Sequence, residues 1–327
     1  MGELLNRRRS EIDTRIQQLE KELQDAEKLA TDKACVYMTG SFGRGEASNY
    51  SDLDVFIGGK DNEGQPLLTR LDEILLKAEL IKATRRLGIT DFSGDGEYLQ
   101  HYSISQLVKT LGTPEDDAKN TFTARLLLLL ESRSLLNAEV YERVIDEVIG
   151  AYWRDYEGRE NEFVPAFLAN DILRLWRTFC VNYEARTSRE PARQKAKRKL
   201  KNYKLKHSRL LTCYSILVYL LAVFSEKTTV SPGDAVEMTR LTPTRRIEWV
   251  LGQGHCSRAH SKVRDLLASY EDFLTSTEAP EETLIERFLD REQAQREFKP
   301  ANQLGNLMFD IVEIIGQRNR FHRLLVV

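Results

Sequence analysis

The sequence predicts an α+β protein: a small mixed sheet with flanking helices, followed by an all-helical C-terminal domain. Three observations predict it. Leu4, Leu5, Ile12, Ile16, Leu19, Leu23 and Leu29 recur near helical spacing among charged residues. Leu53, Val55 and Ile57 alternate with Asp52, Asp54 and Phe56, the period of a strand. From Ser103 onward the periodicity is helical almost without a break.

In chain order, residues 3–34 read as a helix. Cys35-Val36-Tyr37-Met38 is a short apolar run stopped by Thr39-Gly40, so it reads as a buried strand ending in a glycine turn. Glycines at 43 and 45 keep the following segment in a turn-rich loop, and Asn49-Tyr50-Ser51 leads into the second strand. Residues 58–66 form a loop, about 67–86 a helix, and Tyr98 to Tyr102 the clearest part of a further strand. Helices are then expected at 105–111, 120–132, 138–154, 165–184, 199–224, 243–250, 258–274, 281–298 and 304–325. No period of 20–50 residues repeats, which argues against a solenoid. The expected domains are 1–136 and 137–327.

Composition narrows the function. With 48 Lys and Arg against 50 Asp and Glu in 327 residues, the net charge is −2, so a globally basic nucleic-acid coat is excluded while a local patch is not. Mean hydropathy is −0.44. The longest apolar run, Leu210 to Phe224, is interrupted by Thr212, Cys213 and Ser215, short of the roughly 20 apolar residues that span a bilayer. The N-terminus lacks the apolar stretch of a signal peptide. Cys35, Cys180, Cys213 and Cys256 are far apart without metal or disulfide spacing. The reading is a cytoplasmic protein.

Chemistry concentrates in Gly40 to Ile57, GSFGRGEASNYSDLDVFI. Side chains at i and i+2 of a strand share a face, so Asp52 and Asp54 present two carboxylates side by side. Their repulsion is relieved most readily by a divalent cation, and magnesium favours a few carboxylate oxygens plus substrate phosphates. Gly40 lets the backbone approach a phosphate closely, and Ser41 with the following amides offers donors to it. Gly40 and Ser41 are thus the candidate phosphate binders, with Arg44 as a helper, and Asp52 and Asp54 the candidate metal ligands. Together they are the equipment of nucleotidyl transfer.

These residues resemble the signature of the DNA polymerase β-like nucleotidyltransferases: an apolar residue, Gly, Gly or Ser, a spacer, then Asp-apolar-Asp-apolar. Met38-Thr39-Gly40-Ser41 through Asp52-Leu53-Asp54-Val55 follows it. Gly43-Arg44-Gly45-Glu46, with Ser51 ahead of the first Asp, is most similar to the branch holding the nucleotidyltransferase domain of bacterial PII uridylyltransferase. The segment Asn120 to Leu127, with Glu131, is similar to the helix after the sheet in that branch. The resemblance spans roughly residues 30–135, and residues 136–327 add no assignable motif. It implies Mg²⁺ (or Mn²⁺), an NTP such as ATP as substrate, and a third acid from a neighbouring strand. Asp91, Asp95 and Glu97 precede Tyr98-Leu99, and Asp95 or Glu97, at the expected strand start, is the candidate for that acid; as turn residues beside Gly94 and Gly96, Asp91 and Asp95 have an equally good structural explanation.

A second feature is the basic run 186–209, eleven positive residues against one acid, Glu190, a local charge of +10. Such a run is commonly a solvated face, but its density favours a polyanion. Lys204, Lys206 and Arg209 are candidates to reach the triphosphate in a cleft between the domains, or to hold an RNA acceptor. Tyr203 and His207 stand among them as stacking candidates or core-edge residues. His255, Cys256 and His260 share one loop without a metal-site pattern and read as incidental. The expected reaction is attack of an acceptor hydroxyl, on a protein or RNA, on the α-phosphate of an NTP with release of pyrophosphate. Two alternatives stand beside it: an oligonucleotide synthase for defence signalling, and an inactive nucleotide-binding antitoxin or regulatory module.

Overall fold

Strand β1 (Ala34–Thr39) is buried at every residue, as a strand must be when it has neighbours on both edges and layers on both faces. It pairs antiparallel with β2 (Asp54–Gly59) on one side and with β6 (Arg133–Leu136) on the other. Strand β5 (His101–Ser103) joins β2 in parallel, giving a four-stranded mixed sheet in the order β5-β2-β1-β6. A small hairpin, β3 (Asp61–Asn62) and β4 (Gln65–Pro66), follows β2. The computed structural model describes residues 2–90, 92, 99–184, 191–317 and 319–326.

Alternation along β2 builds the two faces of the sheet. Leu53, Val55 and Ile57 join Val36 and Met38 against Ile12, Ile16 and Leu19 of α1 (Glu3–Glu22), Ala26 of α2 (Gln24–Ala30) and Leu76 and Leu80 of helix 70–86. On the opposite face Tyr37 stacks on Phe56 with ring centroids 5.6 Å apart, and Tyr102 and Tyr141 extend the aromatic layer. Between β1 and β2 lies a single helical turn, α3 (Gly40–Gly43). The helix 70–86 is α4 (Arg70–Arg86), opened by Thr69, whose hydroxyl accepts from the Asp72 amide. After β5 come α5 (Ile104–Lys109), α6 (Glu115–Ala118), α7 (Thr121–Glu131) and, after β6, α8 (Ala138–Tyr152).

The chain divides into two compact units, Glu3–Arg154 and Asp155–Val327. The division falls after α8 rather than near Asn137, because Val144 and Tyr141 of α8 pack on the aromatic face of the sheet. The expected helix 3–34 is two helices and the start of β1. Strand β6 is absent from the elements that the sequence predicts. Of the expected strand at 98–102, Tyr98 lies outside the described residues, and the pairing observed is His101–Ser103.

The second unit is helical: α9 (Ala166–Glu184), α10 (Ala192–Lys204), α11 (Leu210–Lys227), α12 (Pro232–Thr239), α13 (Pro243–Val250), α14 (His260–Ser276), α15 (Glu281–Leu289), α16 (Arg291–Gly316) and α17 (Arg320–Val326). A π-helical turn, Leu205–Arg209, joins α10 to α11. Among the described residues this continuous stretch, 192–227, is long and apolar enough to cross a membrane, yet 78% of its apolar window is packed inside the protein. Leu211, Ile216, Leu217 and Leu220 of α11 are fully buried and form the centre of the unit.

Candidate active site

The residues at the open end of β1 and β2 are arranged by two local rules. Thr39 and Asp54 are cross-strand partners, so the turn after β1 emerges beside the carboxylate that opens β2. Gly40 has φ +62°, a left-handed conformation that glycine adopts without a Cβ penalty. A Cβ built on it would overlap Asp54 Oδ2. The absence of that side chain is therefore what lets the turn and the acid touch.

Asp52 and Asp54 are both half-buried, while Leu53 between them is fully buried. Alternation about Leu53 thus puts Asp52 and Asp54 on the side of Phe56, the aromatic face. Asp52 is held by a parallel backbone bridge to Thr90. Asp54 against a space that a Cβ would fill, with a second acid two residues away, is an oxygen donor set suited to a hard divalent cation. Among the described residues no group of three or more His, Cys, Asp or Glu gathers as a metal site. Asp95 and Glu97 lie outside the described residues.

Behind the turn is a buried ion network. The Gly40 amide donates to Glu131 Oε1 at 3.1 Å, and Arg44 Nη1 donates to Glu131 Oε2 at 2.9 Å. Arg44 Nε donates to Glu46 Oε2 at 2.8 Å. Gly43 sits where any side chain would overlap the Glu131 carbonyl oxygen. From α1, Arg8 donates to the Glu46 carbonyl at 2.8 Å and Arg15 to the Ser48 carbonyl at 3.0 Å. Ser51 accepts from the Ser48 amide at 3.0 Å and closes the loop ahead of Asp52.

This network engages two of the residues expected at the phosphate. Arg44 is buried between two carboxylates, so it belongs to the scaffold of the turn rather than to phosphate. The Gly40 amide is already committed to Glu131, so what Gly40 contributes at the turn is space. Sequence reasoning places Glu131 only at the end of a helix. Its sequence signal is an acid closing the five-leucine run Leu126–Leu130, a place where a carboxylate is buried and must find donors.

The basic run falls in the second unit, apart from Arg186 and Arg189, which lie outside the described residues. Arg193 pairs with Glu282 and Glu286, and Lys197 with Glu281, all on α15. Lys206 donates to Asn302 Oδ1 at 3.2 Å and lies over the Phe298 ring, and Arg209 lies over Phe179. Lys204 is exposed at the end of α10. Tyr203 and His207 are interior residues, packed with Phe273, Phe288 and Phe298, and are not available to stack on a base. His255 and His260 bond to backbone carbonyls of Ala222, Val250 and Gln253. Burial raises the Cys256 thiol to about 11.

Residues 16–90 match the family model described as a nucleotidyltransferase domain. No curated protein and no solved structure matches the chain.

Proposed function

We propose, from the premise that residues 16–90 are a nucleotidyltransferase domain of the DNA polymerase β-like superfamily, that the protein moves an NMP from an NTP to an acceptor hydroxyl. The observation that supports this reading is the contact between the Gly40 turn and Asp54, with Asp52 on the same face. Asp52 and Asp54 would hold a divalent cation, Mg²⁺ or Mn²⁺, which when bound lowers the pKa of an acceptor hydroxyl and offsets triphosphate charge.

The chain's own residues do the rest. Leu53 and Val55, fully buried on the reverse face, fix the direction of both carboxylates so that little reorganisation is needed on binding. Ser41 is the one residue of 40–47 that is not buried, so its hydroxyl and amide are the donors offered to the β- and γ-phosphates. The acceptor oxygen forms a bond to the α-phosphorus, the bond from that phosphorus to the bridging oxygen breaks, and pyrophosphate leaves. The acceptor proton passes to a carboxylate, for which Asp95 and Glu97 are the candidates.

A macromolecular acceptor, protein or RNA, is favoured by the similarity of Gly43-Arg44-Gly45-Glu46 to the uridylyltransferase branch and by the exposed lysines of α10. A cytoplasmic site of action agrees with the four free cysteines. The test is incubation of the protein with each α-labelled NTP and Mg²⁺, alone and with candidate RNA and protein acceptors. Label transferred to a macromolecule together with stoichiometric pyrophosphate supports the reading. A small oligonucleotide product would replace it with the signalling alternative, and nucleotide binding without turnover with an inactive module.

A further inference from the structure

We infer that Glu131 is the positioning residue of the phosphate-facing turn, an inference that rests on the nucleotidyl-transfer reading above. Glu131 ends α7, well outside the matched residues 16–90. Its side chain has no solvent exposure, so it does not touch substrate. One carboxylate oxygen takes the Gly40 N–H and the other takes Arg44. Through Arg44 it reaches Glu46, and α1 completes the hold: Arg8 on the Glu46 carbonyl, Arg15 on the Ser48 carbonyl and over the Phe42 ring at 4.7 Å.

The turn is thus fastened at alternate positions, 40, 42, 44, 46 and 48, by groups from α1 and α7 or by its own ion pairs. Ser41 sits between two of them with its carbonyl accepting from the Glu46 amide at 2.8 Å, and it is the one residue of 40–47 that reaches solvent. Gly40 needs the fastening most. Its left-handed conformation is one choice among several open to a glycine, and the unfastened residue would sample the others at an entropic cost on each binding event. The Glu131 carboxylate selects the conformation in which Gly40 lies against Asp54. Anything that depends on the distance between Ser41 and Asp54 then depends on Glu131, which means the triphosphate tail and not the nucleoside.

The experiment compares Mg²⁺-dependent binding of an α,β-methylene NTP with that of the matching NMP by calorimetry, using whichever of the ATP, UTP, GTP and CTP analogues the wild type binds most tightly. Glu131→Gln keeps the size of the side chain but has one acceptor oxygen in place of two, so it cannot accept from both the Arg44 guanidinium and the Gly40 amide. It is expected to lower NTP affinity about tenfold, the worth of one hydrogen bond to a charged group, with NMP affinity changed less than about twofold. A merely structural role would move both affinities together. Asp116→Asn, at an equally buried acid bonded to Thr110, Thr121 and Arg125, is the control and should leave the ratio unchanged. If Glu131→Gln does not fold, Arg44→Lys, which retains the charge but loses the two-pronged contact, should lower the same ratio by a few-fold. An unchanged NTP-to-NMP ratio in a folded Glu131 or Arg44 variant overturns the inference alone. A wild type that binds none of the four analogues with Mg²⁺ overturns the transfer reading, and the inference with it.

Discussion

Gly40 lies so close to Asp54 that a Cβ on the glycine would occupy the position of the Asp54 Oδ2 oxygen. The two residues are joined through the register of the sheet, since Thr39 is the cross-strand partner of Asp54. Gly40→Ala therefore meets two penalties: a left-handed backbone costing about 1–2 kcal/mol, and displacement of the Asp54 carboxylate, the proposed metal ligand. We expect a modest loss of stability in urea denaturation and a much larger loss of NMP transfer, about a hundredfold, because a displacement of about 1 Å at a reacting group has that effect. Equal losses of stability and turnover would show that the contact is only packing.

Asp52→Asn and Asp54→Asn should separate activity from folding in the opposite sense. Both side chains are half-buried on one strand face, so removing one charge relieves repulsion in the metal-free protein and stability should hold or rise. Transfer should fall by about a hundredfold or more, since cation assistance contributes several kcal/mol. The double variant should fall little further than either single one, because the two residues act as a unit. Turnover measured against Mg²⁺ concentration checks this, and an Asp54→Asn enzyme with wild-type Mg²⁺ dependence would remove Asp54 from the site.

What the sequence made legible follows from how far each signal reaches along the chain. Leu53, Val55 and Ile57 announce a strand because its period is two, and Gly40 announces a turn because its φ demands it. Both signals are complete within a few residues. Glu131 bonds to a backbone amide 91 residues away, and no local pattern encodes that pairing. Strand β6 is four residues at the sheet edge, directly after a leucine-rich helix whose period masks it. The ion pairs of the basic run are equally hidden from a local reading, because Glu281, Glu282 and Glu286, which pair with Arg193 and Lys197, are 84–93 residues downstream. Helix α8 reads as the first helix of a helical domain until its contacts with the sheet are seen.

The Asp116–Arg125 pair should govern the stability of the first unit. Both side chains are essentially without solvent exposure. Arg125 also donates to the Leu107 carbonyl at 2.9 Å and to the Tyr152 hydroxyl at 3.1 Å, and Thr121 donates to Asp116 at 2.7 Å. The pair thus ties α5, α6, α7 and α8 together. Asp116→Ala leaves a buried guanidinium without its counter-charge, which costs about 3–5 kcal/mol. The double variant Asp116→Leu, Arg125→Met removes both charges and should recover a large part of that loss. Urea denaturation of the single and double variants measures it, and a double variant as unstable as Asp116→Ala would mean that the surrounding hydroxyls, not the charges, dominate.

His207 should make the second unit sensitive to acid. It lies on the π-helical turn, its ring stacked on Phe273 at 4.2 Å and edge-on to Tyr203, with Nδ1 2.9 Å from the Tyr203 carbonyl oxygen. Burial among these rings lowers its pKa from 6.5 to about 4; the Tyr203 carbonyl opposes the shift and Lys206 adds to it. In the unfolded chain the imidazole takes up its proton near the ordinary value of 6.5. Above that pH neither state is protonated and stability is at its full value. As pH falls from 6.5 toward 4 the unfolded state binds the proton first, so stability is lost across that window, by about 3 kcal/mol at its lower end. His207→Phe fits the same aromatic surroundings and carries no titrating group. Its unfolding free energy, measured in urea between pH 7 and pH 4.5, should fall less steeply than that of the wild type. Carboxylates titrating in the same range contribute equally to both proteins and cancel in the difference, so parallel curves would show that His207 is protonated as readily in the fold as outside it.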